Sequence, residues 1–204
     1  MSEKSTYLTI RNRSEGLYKE KGSKFIGIAL PCSTSEDAKE LIELIRKEHH
    51  QARHFCYAYR FGLEADEYRA NDDGEPSNSA GAPILGQLLS FDLTNLLMVV
   101  VRYYGGTKLG VGGLINAYRT AAKEAIEAGK IVEREVFDWV WITFEYPDMP
   151  NVMNTLKKFN LEMIEHEFEV SCRIKTNLSL TFAVEIKAEL NVFDSVKIKE
   201  IGRY

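Results

Sequence analysis

Apolar and polar positions along the 204-residue chain change period several times, and each change marks an element. Thr6 to Ile10 alternates as a short strand does. Gly16 to Glu20 and Lys24 to Leu30 flank Lys21-Gly22-Ser23, which predicts a hairpin. Behind Ser35, a candidate N-cap, Ala38, Leu41, Ile42 and Ile45 recur at helical spacing through Glu48. His54 to Phe61 alternates and is rich in aromatics, so it reads as a strand. Asn71 to Ala82 holds Asp, Gly, Pro, Ser and Asn and reads as a loop. Pro83 then opens a helix that runs to about Leu89. Leu96 to Val101 is apolar throughout, the pattern of a strand covered on both faces. Val111, Ile115, Tyr118, Ala122 and Ala125 mark a long helix, with Gly129 where a C-terminal cap falls.

The pattern breaks near Lys130 to Glu135, predicting domains over 1–133 and 134–204. In the second, Val136 to Tyr146 reads as a strand, and Pro150 with the Val152, Leu156, Phe159 stripe as a helix. Leu161 to Thr176 reads as two strands with a weak turn near Glu169. Ser179 caps a helix carrying Phe182, Ile186 and Leu190, and Val196 to Ile201 closes as a strand. The order β-α-β-β-α-β predicts a ferredoxin-like domain. The fold class is α+β.

Composition narrows the function classes. Hydrophobic residues at 45% and charged residues at 27% suit a globular protein. The longest apolar run, Leu96 to Val101, has six residues, too few to cross a bilayer. Met1-Ser2-Glu3-Lys4-Ser5 lacks a charged-then-apolar leader. Cys32, Cys56 and Cys172 are far apart and form no CxxC, so zinc is not expected and a reduced cytoplasmic setting is. The net charge of −4 lies entirely in residues 135–204, with 8 Lys/Arg against 12 Asp/Glu, whereas residues 1–134 carry 18 of each. Nucleic-acid coating by bulk charge is excluded, and any such contact needs a local patch.

The candidate chemistry is concentrated in two loops. After the buried strand come Arg102, Tyr103 and Tyr104, then Gly105, Gly106, Lys108, Gly110, Gly112 and Gly113 at the start of a helix. Backbone N–H groups, two cations and two rings at a strand end can contact an anion or a polynucleotide. The spacing matches neither a P-loop nor a dinucleotide fingerprint. Arg102 can fork onto phosphate or form an internal ion pair with Asp72, Asp73 or Glu75. Consecutive strand residues face opposite ways, so one of Tyr103 and Tyr104 is exposed and the other is core. The second loop carries Asp72, Asp73, Glu75 and Ser77. Its carboxylates could hold a hard cation, but a turn built by Asp73-Gly74 and stiffened by Pro76 is the simpler reading, and no metal or cofactor is expected. Neither Ser77 nor Ser79 sits in a nucleophile elbow. His54 and Cys56 share a strand face, yet no orienting Asp or Asn accompanies them, so Cys56 reads as packed.

These motifs together resemble the YigZ/IMPACT family: Asn71-Asp72-Asp73-Gly74-Glu75-Pro76-Ser77, Ala80-Gly81 and Pro83, with Val101-Arg102-Tyr103-Tyr104-Gly105-Gly106 and Lys108-Leu109-Gly110. Lys21-Gly22-Ser23-Lys24-Phe25-Ile26 and Ala58-Tyr59-Arg60 match earlier motifs of that family. Asn78-Ser79 departs from its usual Gly-Thr, and Ala82 replaces a common basic residue. The resemblance implies a first domain like domain two of the small-subunit ribosomal protein S five and the fourth domain of translational GTPases. It implies a second domain similar to one in elongation factor G. Eukaryotic members restrain the starvation response by occupying the activator of an eIF2α kinase, and for bacterial members nucleic-acid or ribosome contact follows from fold analogy.

The expected function is a non-enzymatic cytoplasmic binding protein. Its partner would be RNA, the ribosome or a translation-factor-like protein, held in a groove between Asp72–Pro83 and Arg102–Gly113, with Arg60 nearby. The alternative is an enzyme or sensor for a small phosphorylated ligand at the same loops, with Mg²⁺ on Asp72 or Asp73. The second domain is expected to recognise a protein partner. The sequence sets no oligomeric state.

Overall fold

A computed structural model describes residues 5–63, 67–169 and 171–203. Residues 1–4, on which the absence of a leader was read, lie outside that set. The chain forms two compact units, one of residues 7–134 and one of residues 135–204 joined by residues 5 and 6.

In the first unit the element order is β1 (Thr6–Ile10), β2 (Ser14–Glu20), β3 (Ser23–Pro31), α1 (Ser35–Glu48), β4 (His54–Phe61), β5 (Glu67–Asn71), α2 (Gly81–Ser90), β6 (Leu96–Tyr103), α3 (Gly110–Ala128) and β7 (Ile131–Glu135). Strands β2-β3-β6-β4-β5 form one antiparallel sheet, and β1 pairs with β7. Helices α2 and α3 cover one face over Phe25, Cys56, Ala58, Met98 and Val100. Helix α1 covers the other over Ile28, Phe55, Tyr59, Leu97 and Val99. The all-apolar Leu96–Val101 run is the central strand, fully buried, as its pattern requires.

Helix α3 lies unusually close to the sheet. Gly16 and Gly27 are register partners across β2 and β3. A Cβ on Gly16 would lie 2.3 Å from Ala125 N, and one on Gly27 would lie 2.2 Å from Ala121 O. The two glycines form a notch, and Ala121 and Ala125 of α3 sit against it.

Three local details are set by the fold. The cap of α1 is Thr34, whose Oγ1 accepts from Asp37 N, and Ser35 is the first helical residue. The segment before the acidic loop pairs as β5 on an edge; its Glu67, Tyr68, Arg69 and Ala70 are all exposed, so no apolar alternation marks it. Gly129 caps α3 as its position predicts, with an extended backbone at φ −89°. It is there because a Cβ would meet Ile10 Cδ1 at 2.2 Å.

The second unit runs β8 (Phe137–Glu145), a 3-10 turn at Tyr146–Asp148, α4 (Met149–Lys158), β9 (Glu165–Phe168), β10 (Ser171–Ser179), α5 (Ala183–Leu190) and β11 (Lys197–Arg203). The sheet order β11-β8-β10-β9, antiparallel throughout, is the ferredoxin-like arrangement. Helices α4 and α5 bury Val140, Ile142, Phe144, Ile174 and Leu178 on one face of it.

Asp138, 3% exposed, joins three elements of this unit: its carboxylate accepts from Arg203 Nε at 2.7 Å and from Lys187 Nζ at 3.3 Å. Burial alone would raise this carboxyl, but the bonds from Arg203 and Lys187 outweigh it and hold it below its ordinary value. A carboxylate depressed in the folded state stabilises above its unfolded pKa, and that contribution fades as pH falls through the folded value. Asp138→Asn should therefore cost about 2 kcal/mol at pH 7. The melting-temperature gap to the parent chain should narrow below about pH 4. A gap of equal size at both pH values would rule the pairing out as its source.

Candidate functional site

The acidic loop between β5 and α2 is built by its own carboxylates. Asp72 Oδ1 accepts from Ala80 N and Gly81 N at 3.0 and 2.8 Å, and its Oδ2 accepts from Asn78 N at 2.8 Å. It thus ties the loop to the first turn of α2, whose N-cap Ala80 has no side-chain acceptor. Asp73, at φ +42°, places Oδ1 2.9 Å from Arg46 Nη2 and Oδ2 2.7 Å from Phe55 N. Its own carbonyl meets His54 Nδ1 at 2.9 Å. Short polar side chains tolerate that left-handed backbone and bond locally, which is why Asn71-Asp72-Asp73-Gly74 turns here.

Glu75 carries the loop into the core. Its side chain is 5% exposed, and Arg102 Nη1 lies 2.5 Å from its Oε1. The Tyr118 hydroxyl of α3 donates to the same oxygen at 2.7 Å. The Arg102 side chain is 7% exposed, with its guanidinium 5.4 Å from the ring centres of both Phe25 and Tyr104. Its Nε is buried without a hydrogen-bond partner. The two loops do meet, but through this pair, so the arginine closing β6 is turned inward and not out to solvent. Burial drives the Tyr118 hydroxyl far above its ordinary pKa, with Cys56 and Glu75 adding to the rise, so it stays a proton donor. Burial likewise raises the Cys56 thiol, which donates to Asp72 O at 3.0 Å. A thiol held protonated and buried is not a nucleophile.

The glycine-rich loop is the part turned to water. Tyr104 is 54% exposed, whereas Tyr103 is half-buried with its hydroxyl 3.0 Å from His49 Nδ1. The alternation expected of this pair is present. Gly105 is structural: a Cβ there would lie 2.0 Å from Gly22 C of the β2–β3 turn, and its N–H donates to Ser23 Oγ at 3.1 Å. Gly106 and Gly110 take positive φ, and nothing lies within 4 Å of a Cβ on Gly106, Gly110 or Gly112. Gly113 would meet only the side chain of Leu109. Helix α3 begins with no side-chain cap, so its first N–H groups and partial positive charge face solvent beside exposed Lys108.

Other candidates fall elsewhere. Arg60 does not join the loops: near the opposite end of β4 from His54, it donates to Leu88 O at 3.4 Å in the last turn of α2 and to Leu93 O at 2.8 Å just past it. Ser77 is exposed, and buried Ser79 bonds Pro76 O. Among the described residues no three His, Cys, Asp or Glu side chains gather as a metal site would require. No helix of the described chain is long and apolar enough to span a membrane.

Residues 21–126, from the β2–β3 turn through most of α3, match the Impact N-terminal domain. The chain belongs to the IMPACT family. It is 34% identical to IMPACT family member YvyE of Bacillus subtilis over 171 residues, covering 84% of this chain and 79% of that protein. It is 31% identical to IMPACT family member YigZ of Escherichia coli over 175 residues, covering 85% and 86%. A crystal structure of a protein described only as hypothetical matches with a TM-score of 0.76 at 28% identity, over 98% of both chains. Both loops of this IMPACT family member lie within the matched domain.

Two members of the loop network escape a reading of the sequence. Tyr118 follows the apolar stripe of α3, and only its hydroxyl, which must be satisfied once buried, hints at Glu75. Arg46 looks like one more cation in the last turn of α1, yet it pairs with Asp73 and lies 4.6 Å from the Phe55 ring centre.

Proposed function

We propose that this chain is a non-enzymatic binding protein acting in translation control, whose first unit contacts RNA or the RNA of the ribosome through the lip formed by Tyr104 to Gly113. The supporting observation is a division of charge. Asp72, Asp73 and Glu75 all direct their carboxylates into backbone N–H groups, Arg46, Arg102 and Tyr118. Turned to water on the glycine-rich loop are Lys108, the bare glycines, the uncapped start of α3 and the Tyr104 ring. Backbone donors and a cation suit phosphate, and an exposed ring suits a base. The family resemblance, with translation control among eukaryotic members, points the same way.

A small phosphorylated ligand would use the same helix start. A Mg²⁺ ion shared with Asp72 or Asp73 finds no support, because both oxygens of each already accept from the protein. The reading is tested by ribosome co-sedimentation and RNA retention at low salt. Lys108→Ala should weaken retention several-fold and reduce the slope of log affinity against log salt by about one. No retention of RNA or ribosomes by the parent chain would refute the reading.

A further inference from the structure

We propose a second nucleic-acid surface, on the second unit: the face of the ferredoxin-like sheet opposite its helices binds single-stranded nucleic acid. Helices α4 and α5 occupy one face of β11-β8-β10-β9. Residues alternating with that core point the other way, and on central strand β8 they include Trp139 and Trp141, both half-buried. These are the chain's two tryptophans. Two residues along a strand are separated by about 6.8 Å, room for one base on each indole.

Cations flank the indoles on both sides. Trp141 lies between Lys175 of β10 and Lys199 of β11, and neighbouring Thr143 lies between Arg173 and Lys197. The Arg173 guanidinium sits 4.8 Å from the Trp141 ring centre and Lys175 Nζ sits 5.6 Å from that of Trp139. Four of the unit's eight cations are on this face, against Glu145, Glu165 and Glu167, with Glu135 at its end accepting from Ser179 at 3.2 Å, so the unit's excess of acid lies elsewhere.

Glu165 and Glu167 mark the β9 edge, pairing with Lys175 and Arg173. Arg173 and Glu167 are 48% and 56% exposed. Ion pairs this wet add little stability, so exchanging carboxylate for phosphate is cheap. As the cation swings to phosphate, the indole face it covered opens to a base. A four-stranded antiparallel sheet with aromatics on a central strand and cations alongside is how single strands are stacked and tracked. An acidic peptide would use the cations but leave adjacent indoles without planar partners.

Because both tryptophans lie on this face, their emission reports on it directly. The full chain is titrated at low salt with oligouridylate and oligoadenylate of about a dozen nucleotides. Emission should be quenched on saturation, and quenching should weaken with salt. Trp141→Ala should lower affinity about tenfold, whereas Trp141→Phe keeps most of it; circular dichroism confirms that both fold. Lys199→Glu should lower affinity, while Lys108→Ala should leave the quenching intact, which separates this face from the loop site. Binding without any change in emission, or quenching matched by polyphosphate, which has no bases, would overturn the proposal.

Discussion

Arg102→Ala should destabilise the first unit by about 3–5 kcal/mol, measured by denaturant unfolding. The size follows from what the substitution leaves behind. Glu75 would remain in the core with only the Tyr118 hydroxyl to satisfy it, and a buried carboxylate without its cation is costly. The guanidinium also fills the space between Phe25 and Tyr104. Glu75→Gln should cost less, since the amide oxygen can still accept from Tyr118, yet it leaves Arg102 uncompensated. A surface arginine would behave differently. If Arg102→Ala left stability unchanged and removed one unit of salt slope in RNA binding, the guanidinium would serve a partner and not the fold.

Gly27→Ala should cost about 3 kcal/mol or more, with Gly16→Ala close behind. The added methyl on Gly27 would press on the Ala121 carbonyl at 2.2 Å, and backbone has no rotamer by which to yield. Helix α3 would have to lift from β2 and β3, exposing part of its alanine face and shifting its first turn. RNA retention should fall along with thermal stability. Gly112→Ala is the control: with open space around its Cβ and a helical backbone, it should stabilise slightly. A Gly27→Ala variant as stable as the parent chain would mean that the helix is not held by the notch.

The contrast between these glycines shows what the sequence discloses and what it withholds. Periodicity marks β1, β4, β6, α1 and α3 because burial enforces an apolar face or two, whereas β2 and β3 are marked by the turn Lys21-Gly22-Ser23 between them. Strand β5 has exposed side chains on both faces, so it carries no alternation, and pairing with β4 alone makes it a strand. The Gly105–Gly113 cluster is conspicuous by density, yet Gly16 and Gly27, isolated in their strands, meet a helix whose position only the fold supplies. For Arg102 the sequence leaves two partners open, phosphate or a carboxylate of the acidic loop. The choice of Glu75 depends on Tyr118, distant in sequence and brought in by α3. In the second unit the sheet order follows from element order, but the cationic lanes beside Trp139 and Trp141 depend on cross-strand register.

The second unit is discontinuous along the chain. Ser5 O accepts from Val136 N at 2.9 Å, and residues 5 and 6 cluster with residues 135–204. Separating residues 7–134 from residues 135–204 by a cut after Arg134 therefore leaves residues 5 and 6 on the other piece. A recombinant piece starting at Glu135 begins with an orphaned amide at Val136, which Ser5 satisfies in the intact chain. For split-reporter or circular-permutation work, the better cut is an exposed bend elsewhere, since a cut at the obvious linker strands that acceptor on the other piece.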